Sequence, residues 1–132
     1  MKKYVALSTL TTGFAIAALV TVAAQQSGFR RTPLQQGELS IPGYDAVSAL
    51  AELDPNAQSG RHTHPGEEIA YIAQGPVVLE IDGQPARTLQ TGEAVLIKKG
   101  AIHNVKNTGT ATVKIVANWV VEHGKPVATP AP

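Results

Sequence analysis

The sequence predicts an all-β domain, built as a sandwich or a barrel. Three observations carry that expectation. Short β-compatible segments recur at a spacing of roughly eight to twelve residues. Glycine and proline punctuate them at nearly every corner. No stretch beyond residue 24 keeps an apolar helical period over roughly eleven positions.

Residues 1–24 read as an export signal rather than as part of the fold. Lys2 and Lys3 form a basic start, Val5 to Val22 carry no charge, and Val22-Ala23-Ala24 offers small side chains to a peptidase. Cleavage is expected after Ala24, which places the mature protein in the periplasm or outside the cell. An uncleaved membrane anchor is the competing reading, because the apolar run nearly reaches bilayer length. Its four threonines, with Ser8 and Gly13, make it a poor span. No stable membrane insertion is expected after cleavage. The chain has no cysteine, which excludes a lipoprotein anchor and leaves no disulfide to staple the fold.

Residues 25–44 mix Gln, Gly, Ser and Pro and read as an N-terminal arm. Arg30-Arg31 within it reads by default as a solvated charge pair, and as a clasp on a partner subunit in the second reading. The domain is expected over residues 45–123. Its strands are expected at Asp45–Leu53, Arg61–His64, Glu67–Ala73, Val77–Ile81, Gln84–Gln90, Ala94–Ile97, Ile102–Lys106 and Thr112–Val121. Asp54-Pro55-Asn56 marks one turn. Asp82-Gly83 signals a hairpin of type I′, since glycine accepts the positive φ that such a turn demands. Residues 124–132, with three prolines, read as an extended or disordered tail.

Composition removes several functions. Of 132 residues, 108 remain after cleavage, enough for one compact domain. Losing Lys2 and Lys3 leaves nine basic against ten acidic residues. With no basic stripe and few aromatics, nucleic-acid binding has no electrostatic support. No cysteine nucleophile, serine elbow or phosphate-binding loop is present. Any catalysis therefore falls to a metal.

The residues for one are visible. His62-Thr63-His64 places two imidazoles on one face of an extended strand, Glu68 follows four residues later, and His103 lies beyond a glycine-punctuated β stretch. Imidazole and carboxylate donors suit Mn, Fe, Ni, Cu or Zn, so a divalent transition metal is the expected cofactor. Alternation puts Glu68, Ala70 and Ile72 on one strand face. Ala70, Ile72, Val95, Ile97 and Val105 are candidate pocket walls, and Trp119 reads as core, interface or a cap over the cavity. His123 reads as solvated, with contact to a ligand at the rim as the second reading. Lys98-Lys99 reads first as an exposed turn, and second as an attraction for an anionic ligand.

The run from Gly60 through His62, His64 and Glu68 to Gly75 resembles the first motif of the cupin superfamily. Gly92, Gly100, His103 and Asn107 resemble the second, with 16 residues between Gly75 and Gly92. Lys98 stands where that family usually has proline, and Asn56 where it usually has glycine. Both are turn positions, not ligand positions. The resemblance spans roughly Asp45 to Val121 and implies a double-stranded β-helix, or jelly-roll barrel. It implies that His62, His64, Glu68 and His103 hold the metal, with Glu68 also the catalytic base. It is similar to small quercetin-dioxygenase-like cupins, implying a dioxygenase acting on a chelating enol or aromatic substrate. A non-catalytic metal or small-ligand binding protein, and a metal-dependent isomerase or decarboxylase, are the alternatives. The expected partners are a small-molecule ligand and a second copy of the chain. Residues 114–121, apolar on both faces, are the observation behind that expected homodimer.

Overall fold

The computed structural model describes residues 26–132, so the expected signal segment lies outside the described residues. Ten strands form two five-stranded antiparallel sheets, and no helix occurs among the described residues. The first sheet runs β1 (Phe29–Glu38), β2 (Tyr44–Leu53), β9 (Val113–Glu122), β4 (Gly66–Gln74), β7 (Ala94–Ile97). The second runs β10 (Thr129–Pro130), β3 (His62–Thr63), β8 (His103–Lys106), β5 (Val77–Ile81), β6 (Arg87–Leu89).

Alternation decides which side chains enter the core. On β9, Val113, Ile115, Ala117, Trp119 and Val121 are buried, which settles a strand whose two faces look alike in sequence. On β4, Glu68, Ala70 and Ile72 point inward while Ile69 and Tyr71 face solvent, as the spacing predicts. Leu53, Ile72, Val77, Leu79 and Leu89 pack at the centre with almost no exposure. Each such aliphatic side chain contributes roughly 1.5–3 kcal/mol through loss of apolar surface from water.

Several corners differ from the sequence expectation. The segment expected as an arm carries β1, paired along β2 from Phe29↔Leu53 to Glu38↔Asp45. Its side chains are mostly exposed, so backbone pairing rather than burial holds most of its length. Pro33 is tolerated there because β1 is an edge strand, and the register slips just after it, between Pro33 and Gln35. The Asp82-Gly83 turn is not type I′. Only Gly83 has positive φ, at 76°, and the link from β5 to β6 is longer than two residues. The tail is ordered enough for β10 to pair with β3, Thr129 opposite Thr63.

Asn56 adopts φ 64°, the left-handed conformation that asparagine accepts more readily than most side chains. It thus does the work of the glycine expected at that turn. Asn107, 1% exposed, donates to the Leu53 and Ala111 carbonyls and accepts from Gly109 N–H, so its role is to pin the turn before β9.

Candidate metal centre

The two sheets deliver the candidate ligands from different directions. His62 on β3 and His103 on β8 are directly opposed in the antiparallel register, with ring centroids 4.2 Å apart. His64 follows β3 in the link to β4, its ring 4.8 Å from that of His62 and 5.0 Å from that of His103. Glu68 enters from β4 in the other sheet, cross-strand from Trp119. Its Oε2 lies 2.8 Å from His64 Nε2 and 3.3 Å from His103 Nε2. Glu68 thus adjoins two of the three histidines named from the sequence, His64 and His103. The ligand atoms of the three histidines lie within 4.8 Å of one another.

Which nitrogen faces the centre is fixed by backbone carbonyls. His62 Nδ1 bonds Gly60 O at 2.8 Å, His103 Nδ1 bonds Ala101 O at 2.9 Å, and His64 Nδ1 bonds Val127 O at 2.5 Å. A carbonyl can only accept, so each Nδ1 carries the proton and each Nε2 presents a lone pair. This is the outer bonding that orients metal-ligating histidines. His64 Nε2 and Glu68 Oε2 are buried without a hydrogen-bond partner, their short contact lacking hydrogen-bond alignment. Orphaned buried acceptors of this kind fit a cation. The donor set suits a divalent transition metal, with open positions left on a six-coordinate ion.

Burial disfavours charge on Glu68, while the imidazoles of His103 and His64, when protonated at the Nε2 atoms that face it, outweigh burial and hold the carboxyl below its usual range. In the tautomer set by the Nδ1 bonds, a cation takes the place of that proton. Burial, with His103 and His64 adding repulsion, pushes His62 down to about 4, against the opposing pull of the Gly60 carbonyl and Glu68. The consequence for metal-free protein has a definite sign. Below pH 6.5 the unfolded chain protonates an imidazole that the folded chain keeps neutral until about 4. Stability is therefore expected to fall as the pH drops through that window, by at most roughly 3 kcal/mol from this group. Melting curves of chelator-treated protein should show the decline, and His62→Gln should flatten it.

The cavity beside these groups has a volume of about 30 Å³ and is walled by Ala70, Ile72, Val95, Ile97 and Val105, the residues expected from alternation. On the same measure one water needs roughly 10–15 Å³, so the space is tight. Trp119, 3% exposed, closes one side with its ring 5.4 Å from His64.

Arg31 is the residue that sequence reasoning missed. Its neighbour Arg30 pairs with Asp54 at 2.8 Å on the surface, as a solvated arginine should. Arg31 instead turns inward into the cavity wall, its Cζ 5.3 Å from the Trp119 ring centroid. Sharing the strand face of buried Phe29 was the available signal, and it is legible only once β1 is read as a strand. His123 lies outside the cluster and pairs with the buried carboxylate of Asp45 at 3.0 Å, a bond that raises its pKa. Lys99 pairs with Glu122.

Comparison with known proteins agrees with this architecture. The Cupin domain model of the Cupin_2 family matches residues 49–120. Protein SchB of Streptomyces halstedii is 32% identical over 68 residues, which cover 51% of this chain and 49% of that protein. The chain thus spans about half the length of that relative. A solved Klebsiella pneumoniae protein with a double-stranded beta-helix domain superposes with TM-score 0.65 at 16% identity, covering 82% of this chain and 90% of that one. Recombinant oxalate oxidase in complex with glycolate gives TM-score 0.65 at 19% identity, covering 81% and 57% respectively.

Proposed function

Because the chain belongs to the Cupin_2 family of cupin domains, we propose that it is an exported metal-binding cupin that takes a small chelating ligand. One observation carries the reading: three Nδ1–H groups tied to backbone carbonyls leave three Nε2 lone pairs converging beside the Glu68 carboxylate.

A divalent ion held there by His62, His64, His103 and Glu68 would polarise a chelated oxygen, and a redox-active one would allow dioxygen chemistry. The chain's own residues do the rest. The carbonyls of Gly60, Ala101 and Val127 lock the imidazole rings, so no ring has to reorient when a ligand enters. Glu68, kept ionised, is the base placed to accept a proton from an enol or α-carbon. The aliphatic walls keep the surroundings of the cluster apolar. This supports the dioxygenase reading for a compact chelating enol or keto acid, since the space beside the cluster is tight. The same tightness supports isomerisation or decarboxylation of a small keto acid as the second reading. The likeness to oxalate oxidase with bound glycolate, a two-carbon acid, agrees with either.

Elemental analysis of the purified protein tests the metal. About one transition-metal ion per chain is expected, with a melting temperature that drops on chelation and recovers on metal return. A protein that neither retains nor takes up such an ion would overturn the reading. Dioxygen uptake with small keto acids then separates oxygenase from isomerase or decarboxylase, and binding without turnover assigns a carrier.

A further inference from the structure

Two buried N–H donors at the cavity have no partner: Arg31 Nε and Trp119 Nε1. Leaving a buried donor unpaired is costly, and more so when the group is charged. Trp119 is 3% exposed, so bulk solvent barely reaches its indole. Both side chains also line a second, outer cleft of about 350 Å³ with Pro33, Leu34, Val47 and Val127. The Arg31–Trp119 pair is thus the shared wall between that cleft and the inner cavity. The indole neighbours both the guanidinium, at 5.3 Å, and the His64 ring, at 5.4 Å.

We propose that Arg31 and Trp119 form an anion-recognising edge of this cavity, and that its ligand is a small carboxylic acid. The carboxylate accepts from Arg31 Nε–H and the indole N–H, while a neighbouring keto or hydroxyl oxygen reaches toward the histidine cluster. Charge balance agrees. Neutral imidazoles, one Glu68 carboxylate, one guanidinium and a divalent ion leave the centre with surplus positive charge, which an acid offsets and a neutral catechol does not. Burial lowers the pKa of Arg31, and the Glu68 carboxylate opposes that effect. The inference deepens, and rests on, the metal-site reading above.

Calorimetric titration of the metal-loaded protein with pyruvate and with its neutral counterpart pyruvamide tests it, with metal content measured in every sample. The parent should bind pyruvate roughly tenfold or more tightly than pyruvamide, as expected for charge-assisted bonds in a buried site. Arg31→Met should abolish that preference at unchanged metal content, Arg31→Lys should keep part of it, and Trp119→Phe should weaken pyruvate severalfold. Equal binding of acid and amide by the parent, or a preference surviving in folded Arg31→Met, overturns the proposal. If Arg31→Met fails to fold, the parent ratio and Trp119→Phe decide. A parent without metal sinks the metal reading instead, and the same acid–amide comparison on the apo protein still judges Arg31.

Discussion

Replacing His103 by alanine is expected to lower metal affinity by at least roughly 100-fold. Even the partners that merely orient metal ligands are worth about 10–100-fold, and here a ligand itself is removed. His103 is 2% exposed and stands opposite His62 across the β3–β8 pair. The apo fold should survive. Losing the ring opens a small cavity but also removes a polar group from the interior, and these effects oppose one another. Elemental analysis at equal protein concentration, with a melting curve for folding, reads both quantities. Full stoichiometry in a folded His103→Ala protein would remove this residue from the ligand set.

The largest expected stability loss comes from one methyl group at Gly66. A Cβ there would sit 1.8 Å from the Val120 carbonyl oxygen and 2.7 Å from Val121 Cα. Those atoms are backbone in the neighbouring strand β9, so no rotamer change relieves the clash and the two strands must part. The cost should reach the upper end for single substitutions, about 4 kcal/mol or more, lowering the melting temperature by on the order of 15 °C or preventing folding. The lesion also falls between His64 and Glu68, so metal should be lost with the fold. Gly83→Ala supplies the contrast. Nothing lies within 4 Å of its added Cβ, and only the positive φ of 76° is strained, a cost of about 1–2 kcal/mol. Chemical denaturation of both variants checks the ranking, and near-equal stability would refute it.

What the sequence made legible follows from which physical forces leave a periodic trace. Val77–Ile81 and Ala94–Ile97 coincide with observed strands because turn formers bound apolar runs at both ends. The four candidate ligands could be named because their spacing matches a known pair of motifs. β1 left no such trace. Its residues FRRTPLQQGE are mostly exposed, and main-chain pairing with β2 is indifferent to side-chain pattern. With β1 unread, Arg31 had no face to belong to and passed for a surface charge. The tautomers of the histidines were equally hidden, because they depend on carbonyls, and every residue has one. For the turn at Asp82-Gly83, the dipeptide signalled a reversal correctly but could not report the loop length that selects its type.

The Val127 carbonyl that accepts the His64 Nδ1–H bond lies 63 residues further along the chain, in a segment whose Val127 side chain packs on the cluster of Ala49, Ala117, Trp119 and Val121. Capture of an ion by this cluster would therefore wait on the docking of that segment. A nascent or C-terminally clipped chain could close most of its barrel and still leave one imidazole free to spin. Loading with metal would then discriminate finished molecules from partial ones, a form of quality control written into a single main-chain oxygen.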